Sequence, residues 1–305
     1  MKYQPLPMTP PRDYNDLEDR GDFFVKSSAF SKKIEAEALF YEEIPTELKK
    51  FYPQFLGRVT DGRWPKGYAL EKISASDASL YEVGKLTPDA NYFPTLFRLL
   101  KEYITIVPKK NLSALDWNAL IQKTLILRDQ ERLTSLKETS VFTDVEAIFS
   151  RAGLGSVEAF LHRLHQEIMQ EFTQHPCLSV WASHGDLCLS NILVCSGKLY
   201  LVDPRGKNLG EDGYLMPHYD LAKLSQCLVG TYDHINHSMS TPASPQRHVQ
   251  TMKRFTEEFG IRFRAVRLVE SSHFLAMLPL HLSHPAHVRA FAEQAITSYR
   301  DALTL

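Results

Sequence analysis

The feature that most constrains this 305-residue chain is one run in its second half: His184-Gly185-Asp186-Leu187-Cys188-Leu189-Ser190-Asn191. It leads straight into Ile192-Leu193-Val194, a Ser196-Gly197-Lys198 turn, and Leu199-Tyr200-Leu201-Val202. The return strand ends in Asp203-Pro204-Arg205-Gly206. Two apolar runs flanking a glycine-containing turn predict a short β-hairpin. Asp186 then lies in the loop before the first strand, Asn191 where that strand begins, and Asp203 at the end of its partner. Antiparallel pairing returns Asp203 beside Asn191, so three oxygen-bearing side chains converge on one edge.

This strand-rich island interrupts a chain that otherwise reads as helical. Phe93, Leu96, Phe97, Leu100, Tyr103 and Ile104 recur at helical spacing, as do Trp117, Leu120, Ile121 and Leu125. Val157, Phe160, Leu161, Leu164, Ile168 and Phe172 repeat the pattern. Such stripes are core faces. The first 73 residues differ. After a proline-rich arm, RDYN and the strand Phe23 to Ser28 flank a polar turn from Glu18 to Asp22. Ser31 is placed to cap a helix from Lys32 to Glu43, which stops before Pro45. Leu56 to Thr60 and Gly67 to Ile73 read as a second hairpin. The expected fold is α+β and bilobal, like a protein kinase. Residues 1–73 would form a small strand-rich N-lobe on the nucleotide side. Residues 74–305 would form a large helical C-lobe that carries the catalytic loop and hairpin.

Phosphoryl transfer needs what the hairpin edge offers. A carboxylate must orient the acceptor hydroxyl and take its proton, and hard oxygen ligands must hold magnesium against the phosphates. Asp186 is the candidate base, with His184 bracing its loop. Asn191 and Asp203 are the candidate metal ligands. Lys26 ends an apolar strand and Glu37 lies on the next helix. A strand lysine paired with a helix glutamate holds the α- and β-phosphates in kinases, so this pair is assigned to the nucleotide, with Glu35 as the alternative to Glu37. Glu71-Lys72-Ile73 follows a strand and is the expected hinge, whose Glu71 and Ile73 backbone would meet the adenine edge. Arg205 could grip a carboxylate or phosphate of the acceptor, or stiffen the loop as an ion pair.

The run HGDLCLSNILV…LYLVDPRG resembles the catalytic loop and metal motif of the aminoglycoside phosphotransferase and choline kinase superfamily. The resemblance covers most of the chain from about Arg12 and is concentrated between His184 and Leu224. It implies Asp186 as the catalytic base, Asn191 and Asp203 as magnesium ligands, and ATP or GTP as the phosphoryl donor. The DPRG ending, the later YDLAKL and MLPLHLSHPAHVRAF resemble a branch associated with bacterial capsule and surface-polysaccharide biosynthesis. No glycine-rich phosphate loop precedes the Lys26 strand, so a lid over the phosphates is expected to be short or absent.

The remaining chemistry-bearing residues fit blander roles. Asp220 is expected to cap and brace the next helix rather than act in catalysis. His218 and Tyr219 are left to packing or to the acceptor side. His281, His284 and His287 lack an acidic partner and read as helix-turn packing rather than a metal site. Cys188 and Cys195 match no metal spacing. Lys109 and Lys110 read as a solvated loop. Thirty-five Lys and Arg against 36 Asp and Glu leave a formal charge of -1. That balance gives no general attraction to nucleic acid, and no apolar run reaches membrane-spanning length. A cytoplasmic enzyme acting on a small-molecule hydroxyl (a sugar, polyol or amino alcohol) is the expectation. A non-catalytic kinase-fold scaffold and an aminoglycoside-resistance kinase are the alternatives. A protein kinase is disfavoured because no A-P-E segment follows Asp203. A metallophosphoesterase would need further His/Asp clusters. The sequence does not specify an oligomeric state.

Overall fold

The structure is a computed structural model that describes residues 15–205, 212–239 and 248–305. The proline-rich arm, Arg12 to Tyr14 of the first run, and Gly206 lie outside the described residues. The chain divides into two compact units. One takes the chain up to Pro108 together with Ala182–Tyr214, and the other takes Lys109–Trp181 with Leu215–Leu305.

In the first unit, β1 (Asn15–Asp19) pairs antiparallel with β2 (Phe23–Ser28). The pairing extends through Asp19, so the polar turn is shorter than the Glu18 to Asp22 expected, and Gly21 supplies its positive φ of 91°. β2 then leads to α1 (Ser31–Glu43), with Phe30 and not the predicted Ser31 at the N-cap position and no side-chain cap there. The strand runs on to Ser28, whose hydroxyl accepts from the Phe30 N–H at 3.2 Å, so the helix starts one residue early. Its buried face is Ile34, Glu37, Ala38 and Tyr41, an i, i+3, i+4 stripe that takes a carboxylate inside with it. A short 3₁₀ turn (Thr46–Phe51) leads to β3 (Phe55–Val59) and β4 (Gly67–Glu71). The sheet order is β1-β2-β4-β3. Lys26 stands directly opposite Tyr68 in the β2–β4 register. At Gly67 a Cβ would lie 2.5 Å from the Lys26 carbonyl oxygen, so only glycine allows this approach. α2 (Ala78–Glu82) and α3 (Tyr92–Ile106) follow, and α3 buries Phe93, Leu96, Leu100, Tyr103 and Ile104 as its periodicity requires.

In the second unit, β5 (Lys109–Asn111) pairs with β6 (Ser179–Ala182). Lys109 and Lys110 therefore belong to a strand and not to a loop; Lys109 lies over the Trp181 ring, 5.1 Å from its centre. Between these strands come α4 (Ala114–Ile121), a π-helical stretch (Gln122–Leu127), α5 (Arg128–Lys137), α6 (Phe142–Arg151) and α7 (Val157–Gln174).

The chain then returns to the first unit for the hairpin of β7 (Ile192–Cys195) and β8 (Lys198–Leu201), with Ile192 opposite Leu201. Ser196 and Gly197 both have positive φ, 50° and 73°, as a two-residue hairpin turn with the twist of its strands requires. Leu193 also forms a bridge with Asp77, just before α2. After β9 (Tyr214–Leu215) the second unit closes with α8 (Pro217–Leu228), α9 (Tyr232–Asn236), α10 (Val249–Glu257), α11 (Phe263–Met277) and α12 (Pro285–Leu303). α11 is buried along almost its whole length against α8 and α12 and forms the centre of this unit. No helix among the described residues is long and apolar enough to cross a membrane.

Candidate active site

Lys26 is 6% exposed, and its Nζ lies 2.7 Å from Glu37 and 2.6 Å from Asp203. An ammonium is buried here only because two carboxylates meet it. Burial works against its charge, but Asp203 and Glu37 outweigh that and push its pKa up to about 12. Desolvation would raise the Asp203 carboxyl, and Lys26 overrides it and holds the group below its usual value. Glu37 also accepts from the Tyr68 hydroxyl at 3.0 Å and pairs with Lys33 at 3.2 Å. Glu35, the alternative partner, points its carboxylate to Lys66 instead.

The hairpin and its loop are fastened by backbone bonds. The Val202 N–H donates to the Asn191 carbonyl at 3.0 Å, which sets Asp203 next to Asn191. Asp203 adopts φ +59°, a left-handed conformation that non-glycine residues rarely take and that clusters at functional sites. The Asn191 amide nitrogen donates to the Asp186 carbonyl at 2.9 Å. His184 is fully buried and spans two segments. Its Nδ1 accepts from the Asp186 N–H at 3.3 Å, so Nε2 is the protonated nitrogen and donates to the Val202 carbonyl at 2.9 Å. The Arg205 N–H donates to the His184 carbonyl at 2.8 Å. The Arg205 guanidinium reaches Oδ2 of Asp186 at 3.0 Å through Nη2 and 3.3 Å through Nε.

Lys26, Glu37, His184, Asp186, Asn191, Asp203 and Arg205 thus form one connected polar cluster within the first unit. Glu71 and Ile73 stand apart from it. The Glu71 N–H donates to the Gln54 carbonyl at 2.9 Å, its carboxylate accepts from the Gln54 N–H at 3.2 Å, and the Ile73 carbonyl accepts from Ala75 at 2.9 Å. His218, Tyr219 and Asp220 belong to the second unit. His218 is packed edge-on to Phe172 and beside Trp117, and its Nδ1 has no hydrogen-bond partner among the described residues. His281, His284 and His287 stack with one another and Phe291, and no group of three metal-binding side chains exists among the described residues.

Three contributors escape a reading of the motifs. Tyr68 and Lys33 support Glu37; their signals are the β2–β4 register opposite Lys26 and the i, i+4 spacing to Glu37. Tyr52 stacks on the His184 ring, 6.2 Å between centres and 15° between planes, and its hydroxyl meets that of Tyr103 at 3.0 Å. No local pattern links positions so far apart in the chain.

A strand lysine paired to a helix glutamate, followed by a catalytic-type loop and an Asp-terminated hairpin, defines a kinase-like fold. The comparisons with solved structures agree. The chain is similar to a glucosamine kinase at 14% identity and a TM-score of 0.56, over 93% of this chain and 74% of that one. It is similar to a choline/ethanolamine kinase family protein from Mesorhizobium loti at 14% identity and 0.51, over 95% and 85%. The GDP complex of wild-type aminoglycoside 2'-phosphotransferase-IIIa is similar at 12% identity and 0.52, over 96% and 92%. The chain therefore shares the kinase-like fold of these small-molecule kinases; at these identities the likeness carries the fold and not the substrate. No family model and no curated protein sequence matches the chain.

Proposed function

We propose that the protein is a magnesium- and nucleotide-dependent phosphotransferase that transfers the γ-phosphoryl group of ATP, or of GTP, to a hydroxyl of a small molecule. The observation that carries this reading is the Lys26 ammonium held by both Glu37 and Asp203, next to Asn191 and Asp186. Lys26 is assigned to the nucleotide phosphates, with Glu37 fixing its position. Glu71 and Ile73 are assigned to the nucleotide base.

The residues present fit a magnesium ion. A hard cation takes oxygen ligands. The Asp203 carboxylate is 37% exposed, and Asn191 spends its amide nitrogen on Asp186, which leaves its amide oxygen as the ligating atom. When bound, the metal neutralises phosphate charge. Asp186 accepts the proton of the acceptor hydroxyl. His184, tied at both ring nitrogens, holds the loop and moves no proton. Arg205 steadies the Asp186 carboxylate, and as its side chain is 32% exposed it can also meet an anionic group on the acceptor.

The similar structures include a glucosamine kinase in complex with glucosamine, ADP and inorganic phosphate, and a Plasmodium vivax ethanolamine kinase. Both named substrates carry a hydroxyl and an amine, so amino sugars and amino alcohols head the acceptor class proposed here. The DPRG-type resemblance extends the reading to a sugar phosphorylated for surface polysaccharide.

The test is thermal unfolding with and without magnesium-ATP and magnesium-GTP, for the wild type and Asp203→Ala. A rise in midpoint with one nucleotide, lost in the variant, supports the site. ADP or GDP release is then measured with glucosamine and ethanolamine as acceptors. No midpoint shift with either nucleotide at millimolar concentration would replace the enzyme reading with that of a kinase-fold scaffold.

A further inference from the structure

The first unit holds a cavity of about 940 Å³ that shares no residue with the Lys26–Asp203–Asp186 cluster. That volume is at the upper end for small-molecule sites. Its lining is largely aromatic and apolar, with Tyr41, Phe51, Tyr52, Phe55 and Tyr200 among its walls. Charged side chains also line it, and half of them are already in ion pairs. Glu42 is held by Arg58 at 2.7 and 2.8 Å, and Glu102 by Lys50 at 2.6 Å. Glu71, assigned above to the nucleotide base, borders the cavity with its carboxylate and N–H both spent on Gln54. Lys49 and Lys198 also line it, and neither side chain has an ion-pair or hydrogen-bond partner among the described residues. A backbone N–H does not cancel the Glu71 charge, so the lining charges without an ion-pair partner among the described residues are two lysines and one carboxylate, a net positive balance beside the aromatic side chains. That combination suits a flat organic anion, whose ring would lie against the aromatic walls and whose acidic group would be met by a lysine of the lining.

Two of these walls reach the catalytic cluster. Tyr52 stacks on His184, which holds the Asp186 loop and the Val202 carbonyl. Tyr41 lies one turn beyond Glu37 on α1, and its ring packs against those of Tyr52 and of Tyr68, whose hydroxyl donates to Glu37. Whatever fills the cavity presses on side chains that position the lysine partner and the catalytic loop.

We propose that this cavity is a second ligand site for a small aromatic anion, and that its occupancy is felt at the catalytic cluster through Tyr52 and His184. The site stands by itself; its effect on turnover rests on the phosphotransferase reading. The probe is 8-anilinonaphthalene-1-sulfonate, a flat aromatic anion, titrated by fluorescence into the folded full-length protein. We expect saturable binding of one dye per chain, retained in saturating magnesium-ATP. Lys49→Glu/Lys198→Glu should weaken it by about tenfold while leaving basal phosphoryl transfer unchanged. Tyr52→Leu should still bind dye but lose the change in nucleotide-induced unfolding midpoint that the dye produces in the wild type. Equal dye affinity in the charge-reversal variant, or full displacement by magnesium-ATP, would overturn the proposal. Intact dye binding in a protein that transfers no phosphoryl group would retain the site and reject the enzyme reading instead.

Discussion

Each compact unit buries a cluster of opposite charges, and the two are finished differently. In the second unit Asp129 is fully buried and has the Arg128 guanidinium at 2.7 and 3.0 Å, the Ser272 hydroxyl at 2.7 Å and His165 at 3.3 Å. Arg128 also donates to Ser272 at 2.5 Å and to the Tyr219 hydroxyl at 3.3 Å. The protein itself satisfies this network on every side. In the first unit Lys26 is also buried, yet its partner Asp203 is more than a third exposed and held in a left-handed backbone conformation. The first network braces helices; the second keeps a carboxylate partly exposed in a strained backbone conformation, which suits the metal-ligand role proposed for it. Burial of charge alone does not mark function.

The largest expected effect falls on the open cluster. Asp186→Asn should lower turnover by about 10²–10⁴-fold, the usual worth of a positioned base, with the unfolding midpoint and its nucleotide-induced rise unchanged. Steady-state assays with glucosamine or ethanolamine as acceptor, beside thermal melts, decide it; near wild-type turnover removes Asp186 as base.

The closed cluster should respond in the opposite sense. Asp129→Ala leaves the Arg128 guanidinium uncompensated and should cost about 3–5 kcal/mol of stability, while the molecules that stay folded keep their nucleotide response. Chemical denaturation checks the first part and melts with nucleotide the second. If stability holds and nucleotide binding fails, the contrast between the clusters is wrong.

Acid should expose a third kind of buried group. His218 is neutral because burial lowers its pKa from 6.5 to about 3. The unfolded chain therefore takes up a proton that the folded chain refuses. Stability is fully present above pH 6.5 and declines as pH falls toward 3, by up to about 4 kcal/mol. His218→Phe should flatten that limb in denaturation curves measured across the range; an unchanged slope assigns the acid sensitivity elsewhere.

The smallest effect sharpens the account of the Lys26 site. Tyr68→Phe removes one of the hydrogen bonds to Glu37 and should cost about 1 kcal/mol, with a modest loss of nucleotide affinity. Lys33→Met should behave similarly, since Lys26 remains to hold the carboxylate. Calorimetric titration of the nucleotide beside denaturation curves checks both; a loss as deep as that of Asp203→Ala would make these supports part of the site itself.

How much could be read beforehand follows from the range of the interactions. The hairpin was legible because its register depends on two apolar runs and a short turn, all close to Asn191 in the chain. The pairing of Lys26 with Glu37 was legible because β2 and α1 are adjacent in sequence and Glu37 falls on the buried stripe of its helix. The choice of Glu37 over Glu35 needed the helix phase relative to the sheet, since only one of two residues so close together can face inward. Lys109 and Lys110 were misread as a loop because so short a strand carries too little periodicity to announce itself, and its partner lies far along the chain. The Ser31 cap failed because the end of β2, and not the best capping residue, decides where α1 begins.

By itself the sequence determined the helical stripes, the hairpin and the set of oxygen-bearing residues at its edge, because local spacing and turn chemistry act within a few residues of one another. Only the tertiary structure decided that Arg205 turns back onto Asp186, that Tyr52 stacks on His184, and that Lys26 reaches Asp203 as well as Glu37. Those contacts join segments whose distance along the chain bears no relation to their distance in space. They exist because packing forces each buried charge and ring to find a partner wherever the fold supplies one.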